Sequence, residues 1–369
     1  MAVEIRHASS NDAEHIYHLV KNILPVPNRD AWLTRWYWLH VENPWLRRDT
    51  PVGFVAYDGT HLVGHLGLVQ VPVRWRGVEI VCNSSETFAV HPAYQDRGIG
   101  YQLATRAWDS PAVPQPVSFT ANDASTRLFE KCGGKIAPPA ISSIRLGILD
   151  ADAFIHRLQS EGGVLGRTTL LPGFTLPTRF ITRAYLNWRL HSIDHLHGWS
   201  IDEIDSGHPH LENHCASSFQ DNLLSISVTP DYIKWRYDNA PPGTGVTYRI
   251  LSIRDHSGEL STVAVLGERQ QSDWAGIIGD LMELVLAPAA DLTRVLACLF
   301  SYARSRNWVA LRSPFVSPEW DRTCRLTGMV SHKGSSNDRT VIKPVDLLQT
   351  ASEVISLTSH LNIGMGCRL

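Results

Sequence analysis

The densest chemistry in this 369-residue chain lies along Glu86-Thr87-Phe88-Ala89-Val90-His91-Pro92-Ala93-Tyr94-Gln95-Asp96-Arg97-Gly98-Ile99-Gly100. A strand-like run ends in a proline turn, and a glycine-bearing loop then opens directly into a helical pattern. A helix start leaves backbone N–H groups unpaired at the positive end of the macrodipole, which makes it a ready anion site. Gly98 and Gly100 remove side chains where a diphosphate would have to approach the main chain. The spacing is neither G-x-G-x-x-G nor a loop ending in Gly-Lys-Ser/Thr, so the dinucleotide and triphosphate cradles are excluded.

Two side chains near this loop could move a proton. Glu86 stands two residues before Phe88, and strand alternation predicts that both lie on one face of a sheet. A carboxylate there could act as a general base, or could simply be ion-paired at a strand end. His91 competes for the role, although beside Pro92 it could equally be a solvated turn residue. His191, His195, His197, His208, His210 and His214 cluster in sequence. Pro209 interrupts them and no Cys or carboxylate array accompanies them, so no metal is expected. Trp32, Trp36, Tyr37 and Trp38 are read first as core, with a platform for a sugar ring as the alternative.

Gln95-x-x-Gly98-x-Gly100 after a Val-x-Pro turn resembles the acyl-CoA pyrophosphate loop of the GNAT superfamily of N-acyltransferases. The stretch Phe119 to Gly133, with Asn122 at the head of a helix, resembles the family's next strand and the helix that flanks the thioester. The resemblance implies acetyl-CoA as co-substrate, held by Gln95, Asp96, Arg97, Gly98, Ile99, Gly100 and Tyr101 at the diphosphate. It also implies that the main chain of Phe88, Ala89 and Val90 bonds the pantetheine arm, with Asn122, Ser125 and Phe129 nearby. Asn122 could instead be a plain helix N-cap, or serve both purposes. Under this resemblance Glu86 deprotonates an attacking amine. Phe129 stands where family members usually carry a tyrosine that protonates the leaving thiolate, so the usual general acid is missing. Water or the protonated product amine could supply that proton.

The elements that must position these residues alternate between helix and strand. Ala13, Ile16, Tyr17 and Val20 mark one helical face behind Ser9-Ser10-Asn11-Asp12. A second helix spans about 31–42 and stops before Pro44. Strands near 52–57, 62–75 and 80–90 form a meander. A helix at 98–108, a strand at 117–120 and a helix at 123–131 follow. The segment Trp38 to Pro44 repeats in kind at Trp235 to Pro241, and a similar order of elements follows each. In the second half the loop is Ala287-Pro288-Ala289-Ala290-Asp291, without glycine and with a negative charge where a pyrophosphate would sit.

The expected fold is therefore α/β (α+β), as two tandem GNAT-like lobes, each a mixed, largely antiparallel, splayed sheet flanked by helices. Residues 1–150 form the lobe that binds acyl-CoA, 151–196 a connection, 197–345 a degenerate lobe that shapes the acceptor pocket, and 346–369 a tail. Tyr232-Ile233-Lys234-Trp235-Arg236-Tyr237 resembles an aromatic-basic motif of such two-lobed proteins.

Composition narrows the partners. Hydrophobic residues make up 43% and charged residues 19% of the chain, a globular profile. With 34 Lys+Arg against 36 Asp+Glu there is no general case for gripping a polyanion, so no nucleic acid is expected. Glu4, Arg6 and Asp12 interrupt any secretory leader and no long apolar run occurs, so a cytoplasmic protein without a membrane partner is expected. The six cysteines form no C-x-x-C pair and are read as reduced packing residues. The leading expectation is an N-acetyltransferase for a primary amine of a small molecule, such as an amino sugar or aminated natural product. An aminoacyl-tRNA-dependent transferase of the peptidoglycan-bridge type and a non-catalytic acyl-CoA-binding protein remain open, as does oligomeric state.

Overall fold

The computed structural model describes residues 3–343 except 25, 27, 76–77, 137–142, 161–179, 182, 189–190, 192–197, 210, 213–214, 216–224, 243–244, 272–273, 314–317 and 334–338. The architecture is mixed α/β. In the first half β1 (Glu4–His7), α1 (Ala13–Val20), α2 (Arg29–His40), β2 (Gly53–Asp58), β3 (His61–Trp75) and β4 (Val78–Val90) lead into α3 (Ile99–Asp109). Then come β5 (Pro116–Ala121), α4 (Asp123–Lys131), β6 (Lys135–Ile136), β7 (Ser143–Ile148) and α5 (Ala151–Ser160). The second half carries β8 (Ser200–Ile204), β9 (Ser225–Ile226), α6 (Pro230–Ile233), β10 (Val246–Arg254), β11 (Leu260–Gln271) and β12 (Gly276–Leu286). It ends with α7 (Leu292–Ser305), β13 (Ala310–Ser313), α8 (Pro318–Leu326), β14 (Val330–Lys333) and β15 (Arg339–Ile342).

One sheet runs β1-β2-β3-β4-β5-β15-β6, with β9 attached to β3; the other runs β8-β10-β11-β12-β13-β7-β14. The two plans match strand for strand. In each, the first four strands are antiparallel neighbours and the fourth pairs parallel with the fifth. In each, the sixth place is filled by a strand from the other half of the chain: β15 sits between β5 and β6, and β7 between β13 and β14. Sheet membership therefore departs from the expected boundaries. β7 falls before residue 150 yet belongs to the second sheet, and β15 falls before 345 yet belongs to the first. Apolar alternation identifies a strand but carries no record of which sheet accepts its edge.

Helices α3 and α4 cover one face of the first sheet through Leu103, Trp108 and Phe129, while α1 and α2 cover the other through Ile16, Trp32 and Trp36. The two halves meet in a core that includes Trp38, Val71 and Phe119 from the first and Tyr232, Trp235 and Val265 from the second. The repeated segments touch here. The Trp38 and Trp235 rings stack with centroids 5.1 Å apart, and Trp38 Nε1–H donates to Trp235 O at 3.2 Å. Trp32, Trp36 and Trp38 are thus core residues, in line with their first reading, whereas Tyr37, expected in the same core, is exposed because it falls on the outer face of α2.

Cys82, Cys132, Cys215, Cys298 and Cys324 are free and buried. Among the described residues no helix is long and apolar enough to cross a membrane. His195, His197, His210 and His214, Cys367, most of the connecting segment and the tail lie outside the described residues.

Candidate active site

The site begins where two parallel strands part. β4 and β5 pair only at Asn83↔Pro116 and Ser84↔Val117. Beyond Ser84 the strands diverge, while β4 stays bonded to β3 on its other side as far as Gly64↔Val90. The inner edge of β4 from Ser85 to Val90 thus borders a gap, and a cavity of about 710 Å³ opens along it. At the far end of this cavity α3 begins.

That helix start has no side-chain cap. Gly98 precedes it in the left-handed region, at φ 78°, and the first helical bond runs from Gln102 N–H to Gly98 O at 3.0 Å. The N–H groups of Ile99, Gly100 and Tyr101 are left without intrahelical partners. Asp96 is also left-handed, at φ 64°, and the Gln95 amide braces the loop by donating to Val90 O at 3.2 Å. Gln95, Asp96, Gly98, Ile99, Gly100 and Tyr101 all line the cavity, but Arg97 does not. Its guanidinium lies 4.7 Å from the centroid of the Tyr94 ring, outside the cavity wall. The unpaired N–H groups and the open flank of Gly98, whose nearest neighbour for an added Cβ is Gln102 at 3.9 Å, fit a diphosphate.

Glu86 and Phe88 do not share a face. His65 pairs with Ala89 and Gly67 with Glu86, so Thr87 and Phe88 together oppose the single residue Leu66. This is a β-bulge, with Thr87 at φ 47°, and the extra residue reverses the alternation on which the expectation relied. Glu86 therefore lies with Ala89 and His65 on the α1/α2 side, whereas Phe88 turns to α3 and α4. Both still line the cavity, from opposite faces of the strand. Ala89 is buried among α1/α2 residues, so only its main chain can reach the gap.

A buried histidine pair supports the bulge. His65 Nδ1 bonds Thr87 O at 2.9 Å and His40 Nδ1 bonds Leu68 O at 3.1 Å, so each Nδ1 carries the proton. Burial holds both neutral, pulling His65 down to about 4 and His40 to about 3. Gly67 gives the pair room, because an added Cβ would lie 3.1 Å from both Glu86 O and His65 Cε1 and 3.3 Å from His40 Cε1, closer than ordinary contact.

On the α3/α4 side three aromatic rings stack in series. Phe129 lies 4.4 Å from Trp108 at 10° and 5.9 Å from Phe88 at 26°. Phe129 is 1% exposed and brings no hydroxyl to the cavity it borders. Asn122 Oδ1 accepts from Ala124 N–H at 3.0 Å and Ser125 N–H at 2.9 Å, so it caps α4 at the cavity wall. The Ser125 hydroxyl lies 3.1 Å from that same oxygen. His91 Nδ1 accepts from Ala93 N–H at 3.2 Å and caps its own turn; it is not part of the wall. Sequence reasoning missed Ser85, Thr87, Ser118 and Leu24, which also line the cavity. The serines lie where the strands part, a point fixed by pairing register; a closer look at small polar residues in an apolar strand could have found them.

Residues 16–133 match the model of the acetyltransferase (GNAT) family. In solved structures, the chain is similar to a GCN5-related N-acetyltransferase from Anabaena variabilis, at 12% identity and TM-score 0.57, over 92% of this chain and 72% of that one. It is similar to a probable N-acyltransferase of unknown function from Enterococcus faecalis, at 9% identity and TM-score 0.58, over 94% and 74%. It is also similar to N-myristoyltransferase from Saccharomyces cerevisiae with bound myristoyl-CoA, at 11% identity and TM-score 0.51, over 92% and 81%. Residues 16–133 thus carry a domain of the acetyltransferase (GNAT) family. The class is that of acyl-CoA-dependent N-acetyltransferases.

Proposed function

We propose that the protein transfers an acetyl or other short acyl group from acyl-CoA to a primary amine of a small molecule, an amino sugar or aminated natural product being the favoured acceptor. The observation that supports this best is the single cavity joining a gap between parted strands to an uncapped helix start. In this reading residues 1–136 with β15 form the donor lobe, and the second sheet, including β7, is a degenerate GNAT-like lobe that shapes the acceptor side. The protein acts in the cytoplasm without a metal.

Acetyl-CoA would supply an activated thioester. The N–H groups of Ile99, Gly100 and Tyr101 hold its diphosphate, and the open edge of β4 from Phe88 to Val90 bonds the arm as a neighbouring strand would. Glu86, on the face away from Phe88, takes a proton from the attacking amine directly or through a water. Phe129 has no proton to give, so the thiolate takes its proton from water or from the protonated nitrogen of the tetrahedral adduct as it collapses to the amide.

The test is release of free thiol from acetyl-CoA over amino sugars, aminoglycosides, polyamines and amino acids, with calorimetry of acetyl-CoA alone. One donor site per chain and thiol release with some amine are expected. Two equivalent sites, or none, would overturn the reading.

A further inference from the structure

The closed end of the cavity is built differently from its walls. Ser85 is the first residue of β4 beyond the last parallel pair, and Ser118 stands one residue beyond Val117 on β5. Both line the cavity and both are buried, at 7% and 3% exposure. Ser85 is opposite Leu68, and Ser118 opposite Val341 of β15. Leu68 and Val341 belong to the α3/α4 core, so the two hydroxyls face the same side.

Behind Ser85 stands Trp108, whose Nε1–H donates to Ser85 Oγ at 3.0 Å. The indole is closely packed. Phe129 stacks on it, while Lys343 Nζ bonds the main-chain carbonyl of Trp108 at 2.6 Å and holds the end of α3. At Gly134 an added Cβ would lie 2.6 Å from Trp108 Cζ3 and 2.8 Å from Val341 Cγ1, so the surroundings are packed to contact. Main-chain pairing at Ser84↔Val117 closes the gap below.

We infer that Ser85 and Ser118, backed by Trp108, form a fixed polar stop that admits only short acyl groups, of two or three carbons, to the donor site. This rests on reading the cavity as the acyl-CoA site. One strand rise, roughly 3.3 Å, separates Glu86 on the wall from Ser85 at the floor. A longer chain would meet a closely packed ring, and its methylenes would cover two hydroxyls while offering them no hydrogen bond. Trp108 is a positioning residue, and Ser85 and Ser118 are specificity residues.

The experiment measures binding of CoA and of acetyl-, propionyl-, butyryl- and hexanoyl-CoA to the full chain by calorimetry, without acceptor, and then kcat/KM for each donor with an active amine. Acetyl and propionyl donors should behave alike, with hexanoyl-CoA about 100-fold poorer. Trp108→Phe, and separately the milder Ser85→Ala, should raise butyryl relative to acetyl about tenfold while leaving affinity for CoA itself in place. Equal use of hexanoyl- and acetyl-CoA by the unaltered protein, or an unchanged length profile in folded Ser85→Ala, would overturn the stop alone. Failure of CoA to bind the unaltered protein would overturn the reading of the cavity, and the stop with it.

Discussion

Where α3 begins, the chain places Gly98; where α7 begins, at the matching point of the second sheet, it places Asp291. Asp291 Oδ1 accepts from Thr293 N–H at 3.0 Å and Arg294 N–H at 3.2 Å, so the second helix spends its open N–H groups on its own carboxylate. The strand junctions differ as well. Ser84 and Val117 form the last parallel pair of the first sheet, and the corresponding last pair of the second is Asp280 and Arg312. That pair is a buried bidentate ion pair, with Arg269 Nε also 3.0 Å from Asp280. Beyond it comes Leu281, fully buried, where the first sheet has Ser85. Two nearly identical sheet plans thus differ at the few positions where a donor would touch the protein. The frame is kept by strand order, whereas the site depends on which side chains stand at one helix start and one strand junction.

The largest effect should come from Glu86→Gln. The swap is nearly isosteric, so fold and donor affinity should hold while turnover at neutral pH falls by about 10²–10⁴. The loss should shrink as pH rises, because more acceptor arrives already deprotonated. A lower melting temperature with turnover kept would instead mean that Glu86 is structural. Gly98→Val comes next. It should weaken acetyl-CoA binding by about tenfold or more, since a side chain would stand beside the N–H groups that face the diphosphate. Left-handed backbone strain alone would lower stability, so Gly59→Val is the control: Gly59 is at φ 60° with nothing within 4 Å of an added Cβ, and it lies outside the cavity wall. If both variants lowered melting temperature alike and neither changed donor affinity, the helix start would not be the anion site.

Much of the donor loop was legible because its chemistry is local. The glycine ahead of a helix start at 98 and the cap at Asn122 depend on residues within a turn of each other. The face assignment of Glu86 was not legible, because one inserted residue at Thr87–Phe88 depends on how β3 pairs with β4. Nor was the reciprocal placement of β7 and β15, which depends on an edge supplied from more than a hundred residues away. Sequence periodicity records burial along an element. It does not record which partner provides it.

A smaller effect separates the two glutamates of the two halves. Glu86 borders an open cavity, but Glu283 is buried, accepting from Tyr237 Oη at 2.6 Å and Tyr232 Oη at 3.4 Å. Burial pushes its carboxyl up to about 7, against the pull of the Tyr237 bond and the Arg236 charge. The folded state then holds a proton that the unfolded state has released, so this contribution to stability is present below the unfolded value and lost as pH rises through the folded one. Glu283→Gln lacks that loss. Its melting temperature relative to the unaltered protein should therefore be higher at about pH 8 than at about pH 5.5. A constant offset across that range would show that Glu283 keeps the same protonation in both states.

The smallest effect tests whether a helix start is sufficient for a donor site. Asp291→Gly removes the carboxylate that caps α7 and gives the second half a glycine where the first has Gly98. Loss of the side-chain cap should cost a few tenths to about 1 kcal/mol, read as a small drop in melting temperature. Two N–H groups are then free, yet calorimetry should still find one acetyl-CoA site. The strand junction below remains filled by Leu281 and the Asp280 ion pair with Arg312 and Arg269, so an arm has no gap to enter. Appearance of a second site in this variant would mean that capping alone separates the two halves, and that the filled junction plays no part in restricting the donor to the first.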